Sequence, residues 1–221
     1  MDISTAIQSI EFFDSLNEEQ RNYLINISMA RSFSKDTIVY FESDMDYSLQ
    51  FLISGLVKIY KIDKFNNEIF LYHIYEKNMI SELTSMDSES IYCFSNAAFV
   101  EDGVILSIDF AKFKNYFIDT GILASKFIRE ILHKSRQLQC LINRELVFDA
   151  TAKVAFMLNE DLNMFNKLKR QEVSFMLHIQ PETLSRVLKR LSRNGTIEIT
   201  DGNIKITNKD MLLSTFRGVG V

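Results

Sequence analysis

Between Glu182 and Arg193 the chain sets a carboxylate, a hydroxyl and four cations at helical spacing: Glu182, Ser185, Arg186, Lys189, Arg190 and Arg193. Leu184, Val187, Leu188 and Leu191 recur at steps of three and four, so a helix would bury those and leave the polar set outward. In the DNA major groove a guanidinium pairs with the acceptor edge of guanine and a carboxylate accepts from cytosine. Further cations and backbone amides take phosphates. Such residues on the first turns of a helix suit base reading. The same pattern also describes a terminal helix with a basic outer face, so its surroundings matter.

Those surroundings are specific. The stretch from Lys169 to Ile199 reads as a short helix, a tight turn and a second helix. Pro181 fits the first helical turn, where a missing N–H costs nothing, and Gln180 falls near the N-cap. Asn194-Gly195 then turns the chain into TIEIT-DG-NIKIT, where Asp201-Gly202 suits a type I′ turn between alternating strands. A helix-turn-helix followed by a β-wing says more than either part alone. Charge agrees. From residue 150 onward 11 Lys and Arg face 7 Asp and Glu, a balance of +4, whereas the preceding residues carry 14 against 22, or −8. A basic module on an acidic chain is the electrostatic footprint of binding nucleic acid at one end.

The 221 residues suffice for one large or two small domains, and 47% apolar content argues against disorder. No apolar run has bilayer length, and MDISTAIQSIEFF lacks the basic start and cleavage site of a signal peptide, so a cytoplasmic protein without membrane contact is expected. Cys93 and Cys140 have no CxxC partner or nearby histidine at ligand spacing, so no zinc ribbon or metal site is expected. No nucleophile–base pairing or phosphate-binding glycine loop is present, which speaks against an enzyme.

The remaining elements follow in order. Residues 1 to about 30 read as helical, with Asn17-Glu18-Glu19 opening a second helix, and serve as a flank. From Ser32 to Ile108 short β-rich runs, TIVYF, LQFLISG, LVKIYKI, EIFLYHIY, CFSNAAFV and GVILSI, predict a small barrel or sandwich with Gly55 and Asn66-Asn67 as turns. A long helix from Gly121 to Phe148 is predicted to bury one side on its own domain and another on a second copy of the chain, through Phe127, Ile128, Ile131, Leu138 and Ile142, the competing reading being a simple core helix of one domain. The expected class is α+β, with a sensor domain over 1–120, a dimerisation helix over 121–148 and a winged helix-turn-helix over 149–221.

This order of parts resembles the CRP/FNR family of bacterial transcription regulators over essentially the whole chain. FFDSL, FLISGLVKIYKI, Ser81-Glu82-Leu83 and Arg170-Gln171-Glu172-Val173 look like family landmarks, and Glu182-Thr183-Leu184-Ser185-Arg186 matches the E-x-x-S-R pattern of the FNR-like branch. The resemblance implies a cyclic-nucleotide-binding-like β-roll, a homodimer, RNA polymerase as a partner, and base reading by Glu182, Ser185 and Arg186 on a palindromic TTGAT-like site. It also implies target genes of anaerobic respiration or nitrosative stress. The expected DNA-contacting set is Arg170, Gln180, Glu182, Thr183, Ser185, Arg186 and Lys189. His178 departs from the pattern, standing in the turn where the family often has glycine.

The signal is less legible. Glu82 and Leu83 are retained, but Ser81 replaces the glycine of the cyclic-nucleotide branch, and no arginine lies between Arg31 and Arg129 to meet a cyclic phosphate, so cAMP is not expected. The N-terminus has no cysteine for an iron-sulfur cluster. Haem stays open as a cofactor, with His73 or His133 as axial ligand in a sensor of nitric oxide or carbon monoxide, and Glu82 as a further effector candidate. Another reading has a small apolar ligand among Phe41, Phe51, Phe70, Tyr72, Tyr75, Phe94 and Phe99, in a binding module with or without a transcriptional role.

Overall fold

In the computed structural model, which describes residues 2–217, the chain divides into two compact units, one through Gln137 and one from Leu138 onward. The first opens with α1 (Ile3–Ser9), a 3₁₀ turn (Glu11–Phe13) and α2 (Glu18–Asn26). Asn17 starts α2 by a reciprocal capping box with Gln20. These helices are more than a flank: Ile7, Ile10, Phe12, Phe13 and Leu16 join Phe51, Phe110, Phe113 and Phe117 in one buried cluster.

Strands β1 (Ser28–Phe33), β2 (Ile38–Tyr40), β3 (Met45–Asp46), β4 (Ser48–Ile62), β5 (Glu68–Ile74), β6 (Ile91–Tyr92) and β7 (Asn96–Asp109) follow. All pairings are antiparallel, in the order β1-β7-β4-β5 with β2 also on β7, and β3 pairs separately with β6. The expected turn at Asn66-Asn67 is present, with Asn66 at φ 65° and the Asp63 carboxylate accepting from the amides of Phe65 and Asn67 at 2.8 Å each.

Gly55 is not a turn. LQFLISG and LVKIYKI run on as the single strand β4, which shifts register against β7 on either side of that glycine. The cause is a close crossing of two backbones: a Cβ on Gly55, at φ 93°, would lie 2.7 Å from the Asp102 carbonyl oxygen, and one on Gly103 would lie 2.3 Å from that of Ser54. Glycine marks a strand bulge here.

After β7 come α3 (Phe110–Phe113), a π-helical turn (Lys114–Ile118) and α4 (Ala124–Ile142), itself followed by a π-helical turn (Asn143–Val147). The long helix is thus shorter than its apolar pattern suggests. Phe127 must be removed from the expected dimer seam, because it is only 6% exposed and packs in the first unit's own core, with Ile131 partly buried beside it. Ile128, Leu132, Leu138 and Ile142 instead stand between 51% and 58% exposed.

The aromatic residues of the roll do not share one lining. Phe51, Phe70 and Phe99 are buried, whereas Phe41, Tyr75 and Phe94 are exposed. Among the described residues no helix is long and apolar enough to cross a membrane.

Gly103→Ala is expected to destabilise the chain by about 1 to 3 kcal/mol, the usual penalty for overpacking, in chemical denaturation followed by circular dichroism. A loss below ~0.5 kcal/mol, within the range of neutral substitutions, would mean that the crossing opens freely.

Candidate nucleic-acid interface

The second unit contains α5 (Ala150–Glu160), α6 (Leu162–Lys167), α7 (Arg170–Met176), α8 (Pro181–Arg193), the hairpin β8 (Ile197–Thr200) and β9 (Asn203–Ile206), and α9 (Lys209–Ser214). Asp149 caps α5 by accepting from the Ala152 amide at 2.8 Å, and Asp161 caps α6 through Met164 at 2.9 Å. Leu184, Val187, Leu188 and Leu191 of α8 are buried among Val154, Leu158, Phe165, Val173 and Leu177. Gln180 is the extended N-cap and Pro181 opens the helix.

The opposite face is presented outward. Glu182, Ser185, Arg186, Lys189, Arg190 and Arg193 are all exposed, and Thr183 is half-buried. Arg186 Nη2 donates to Thr183 Oγ1 at 3.2 Å, and Arg190 donates to Thr151 Oγ1. Beside this face the wing turns at Asp201 (φ 52°) and Gly202 (φ 81°), both left-handed as a type I′ turn demands.

Two residues hold the wing. Asn166 donates from Nδ2 to the Ile204 carbonyl at 2.9 Å and accepts the Ile204 amide at 2.8 Å. Arg170 donates from Nη2 to the Gly202 carbonyl and lies over the Phe165 ring, 5.0 Å from its centroid, where burial pushes the guanidinium down from its ordinary value. At the expected DNA contact Arg170, Nη2 is thus engaged within the domain, joining α7 to the wing tip. Asn166 had no sequence signal.

The turn between α7 and α8 places His178 at φ 52°. The Ile179 amide closes that turn on the Ser174 carbonyl at 3.0 Å. Left-handed backbone explains why glycine is the easier residue there.

In the first unit the effector candidates lie in dissimilar surroundings. Glu82 accepts from the Phe94 and Ser95 amides and from Ser95 Oγ at 2.9 to 3.0 Å, so its carboxylate fastens the loop before β7. His73 faces Lys58 across β4 and β5 with its ring 4.8 Å from that of Phe70, and His133 is exposed on α4. Lys134, which sequence reasoning missed, donates to the Met79 carbonyl at 2.9 Å, and burial pushes its ammonium down. Burial likewise pushes the Cys93 thiol up to about 12, which leaves it protonated and unreactive at neutral pH. Among the described residues no group of three or more His, Cys, Asp or Glu is placed to hold a metal ion.

Residues 154–215 match the model of the Crp-like helix-turn-helix domain. That segment of the chain is therefore a Crp-like helix-turn-helix domain. The chain is 27% identical over 202 residues to the "Anaerobic regulatory protein" of Bacillus subtilis (strain 168), covering 90% of this chain and 71% of that one. The chain also shares its fold with a structure assigned to the CRP/FNR family from Eubacterium rectale, at TM-score 0.65 and 19% identity over 95% and 99% of the two chains. A CooA mutant from Carboxydothermus hydrogenoformans matches it at TM-score 0.71 and 18% identity over 89% and 90%.

Arg170→Ala is expected to lower the thermal stability of the protein by about 1 to 2.5 kcal/mol, the sum of a partly exposed cation–π contact and one hydrogen bond. Weakened DNA binding at unchanged stability would place Arg170 in the phosphate-contacting set.

Proposed function

We propose that this chain acts as a homodimeric regulator that lays the first turns of α8 in successive major grooves and reads a palindromic TTGAT-like site through Glu182, Ser185 and Arg186. Gln180 and Thr183 assist at the helix start, and Lys189 meets phosphate. The observation that carries this reading is the clean division of α8: four apolar residues are buried while the whole polar set stands exposed beside a two-stranded wing. A helix presented in this way offers base-reading groups without disturbing its own core.

The partner chain would meet it along α4. Ile128, Leu132, Leu138 and Ile142 are more than half exposed, and Leu146 in the following turn is 80% exposed. Apolar side chains repeated along one helix are what a two-fold helix seam requires. RNA polymerase is the further partner, taken from kinship.

The name of the Bacillus relative favours genes of anaerobic metabolism as targets, ahead of nitrosative stress. The signal is one other than cAMP. Glu82 spends its carboxylate on the loop amides, and no arginine between Arg31 and Arg129 supplies a cation for a cyclic phosphate.

Arg186→Ala should cost about 1 to 3 kcal/mol per half-site and relax base preference at one position, read by quantitative binding to a panel of singly substituted duplexes. Equal weakening on every sequence would make Arg186 a phosphate contact instead. For the seam, Ile142→Glu should convert a dimer to a monomer in sedimentation equilibrium and reduce DNA affinity at least ~100-fold, since two half-sites no longer act together. A wild-type chain that sediments as a monomer would sink the α4 seam.

A further inference from the structure

The turn between α7 and α8 is gripped from outside by the segment that follows α4. His178 Nδ1 donates to Glu145 Oε2 at 2.8 Å, and Lys153 Nζ reaches the same oxygen at 3.2 Å. Arg144 Nε donates to Glu145 Oε1 at 2.6 Å. Lys153 is only 8% exposed, and its ammonium also donates to the Leu177 carbonyl at 3.2 Å. Glu145 thus holds the turn twice, directly at His178 and through Lys153 at the residue before it. Burial pushes the Glu145 carboxyl up, but the hydrogen bonds from His178 and Arg144 outweigh that and hold it below the usual carboxylate range.

We propose that Glu145 is a positioning residue for DNA reading, fixing the turn so that the start of α8 presents Glu182, Ser185 and Arg186 in the right place. The proposal rests on the base-reading role given to those residues above. A side chain at φ 52° is disfavoured unless something compensates, and the Glu145 hydrogen bond is that compensation. Glycine needs no such help. Without Glu145, the buried Lys153 ammonium loses its carboxylate and His178 loses its partner, so the turn relaxes. Base contacts fail when side chains move by about half an ångström, whereas long cations still find phosphate.

The test uses the full chain as wild type, Glu145→Ala, His178→Gly and the double variant. Hydrogen exchange at the Ile179 amide is read in the free protein, and affinity is measured on the palindromic duplex and on an unrelated duplex of equal length. Glu145→Ala should speed Ile179 exchange about tenfold as the turn opens locally. Affinity for the palindrome should fall about tenfold, with the unrelated duplex changed less than about twofold. In the His178→Gly background the Glu145 substitution should cost clearly less of both, because glycine holds the left-handed turn unaided and only the Lys153 contact is still lost. If Glu145→Ala does not fold, Glu145→Gln carries the comparison, with the same directions and smaller changes. Unchanged Ile179 exchange, equal losses on both duplexes, or the same cost in both backgrounds would overturn the proposal. A wild type that does not distinguish the duplexes would defeat the base-reading role alone, and Ile179 exchange would then decide the part played by Glu145.

Discussion

The second unit depends on α8 burying one side completely. Leu184, Val187, Leu188 and Leu191 sit against α5, α6 and α7, and each buried aliphatic side chain contributes roughly 1.5 to 3 kcal/mol. That burial fixes the helix about its own axis. A rotation that hid Arg186 would have to expose a leucine. Burial thus sets which way the polar face points, the turn before α8 sets where its first residues lie, and the hydrogen bond from Arg186 to Thr183 is a refinement on a helix held from behind.

What could be read in advance was local. The period of α8, the Gln180-Pro181 opening and the Asp201-Gly202 turn each depend on residues within a few positions of one another, and each stands where the sequence places it. The contacts of Arg170 could not be foreseen, because its partners, Phe165 and the Gly202 carbonyl, come from another helix and from the far end of the wing. Glu145 escaped for the same reason, since His178 lies 33 residues away. Phe127 shows another limit. Periodicity identified an apolar helix, yet it could not divide the stripe between the first unit's own core and open solvent. Gly55 was read as punctuation because a glycine in an apolar run signals a turn or a bulge equally well, and only Gly103 on the facing strand decides between them.

In the first unit two charged side chains serve the fold itself. Glu82 is retained in the sequence, but its oxygens are taken up by the Phe94 and Ser95 amides, so the loop before β7 is fastened by an internal anion. Lys134 brings a buried ammonium from α4 onto the Met79 carbonyl of the same unit. Both residues spend charge on internal cohesion.

The Asn166 contacts have a consequence for solubility. Its carboxamide meets the amide and carbonyl of Ile204 as the backbone of a neighbouring strand would. The outer edge of β9 is thereby partly occupied, and a passing strand finds no free pair of groups at that residue. A two-stranded hairpin exposed at the surface is otherwise a template for pairing with another chain. One asparagine side chain ends the sheet there, and the wing stays two strands wide.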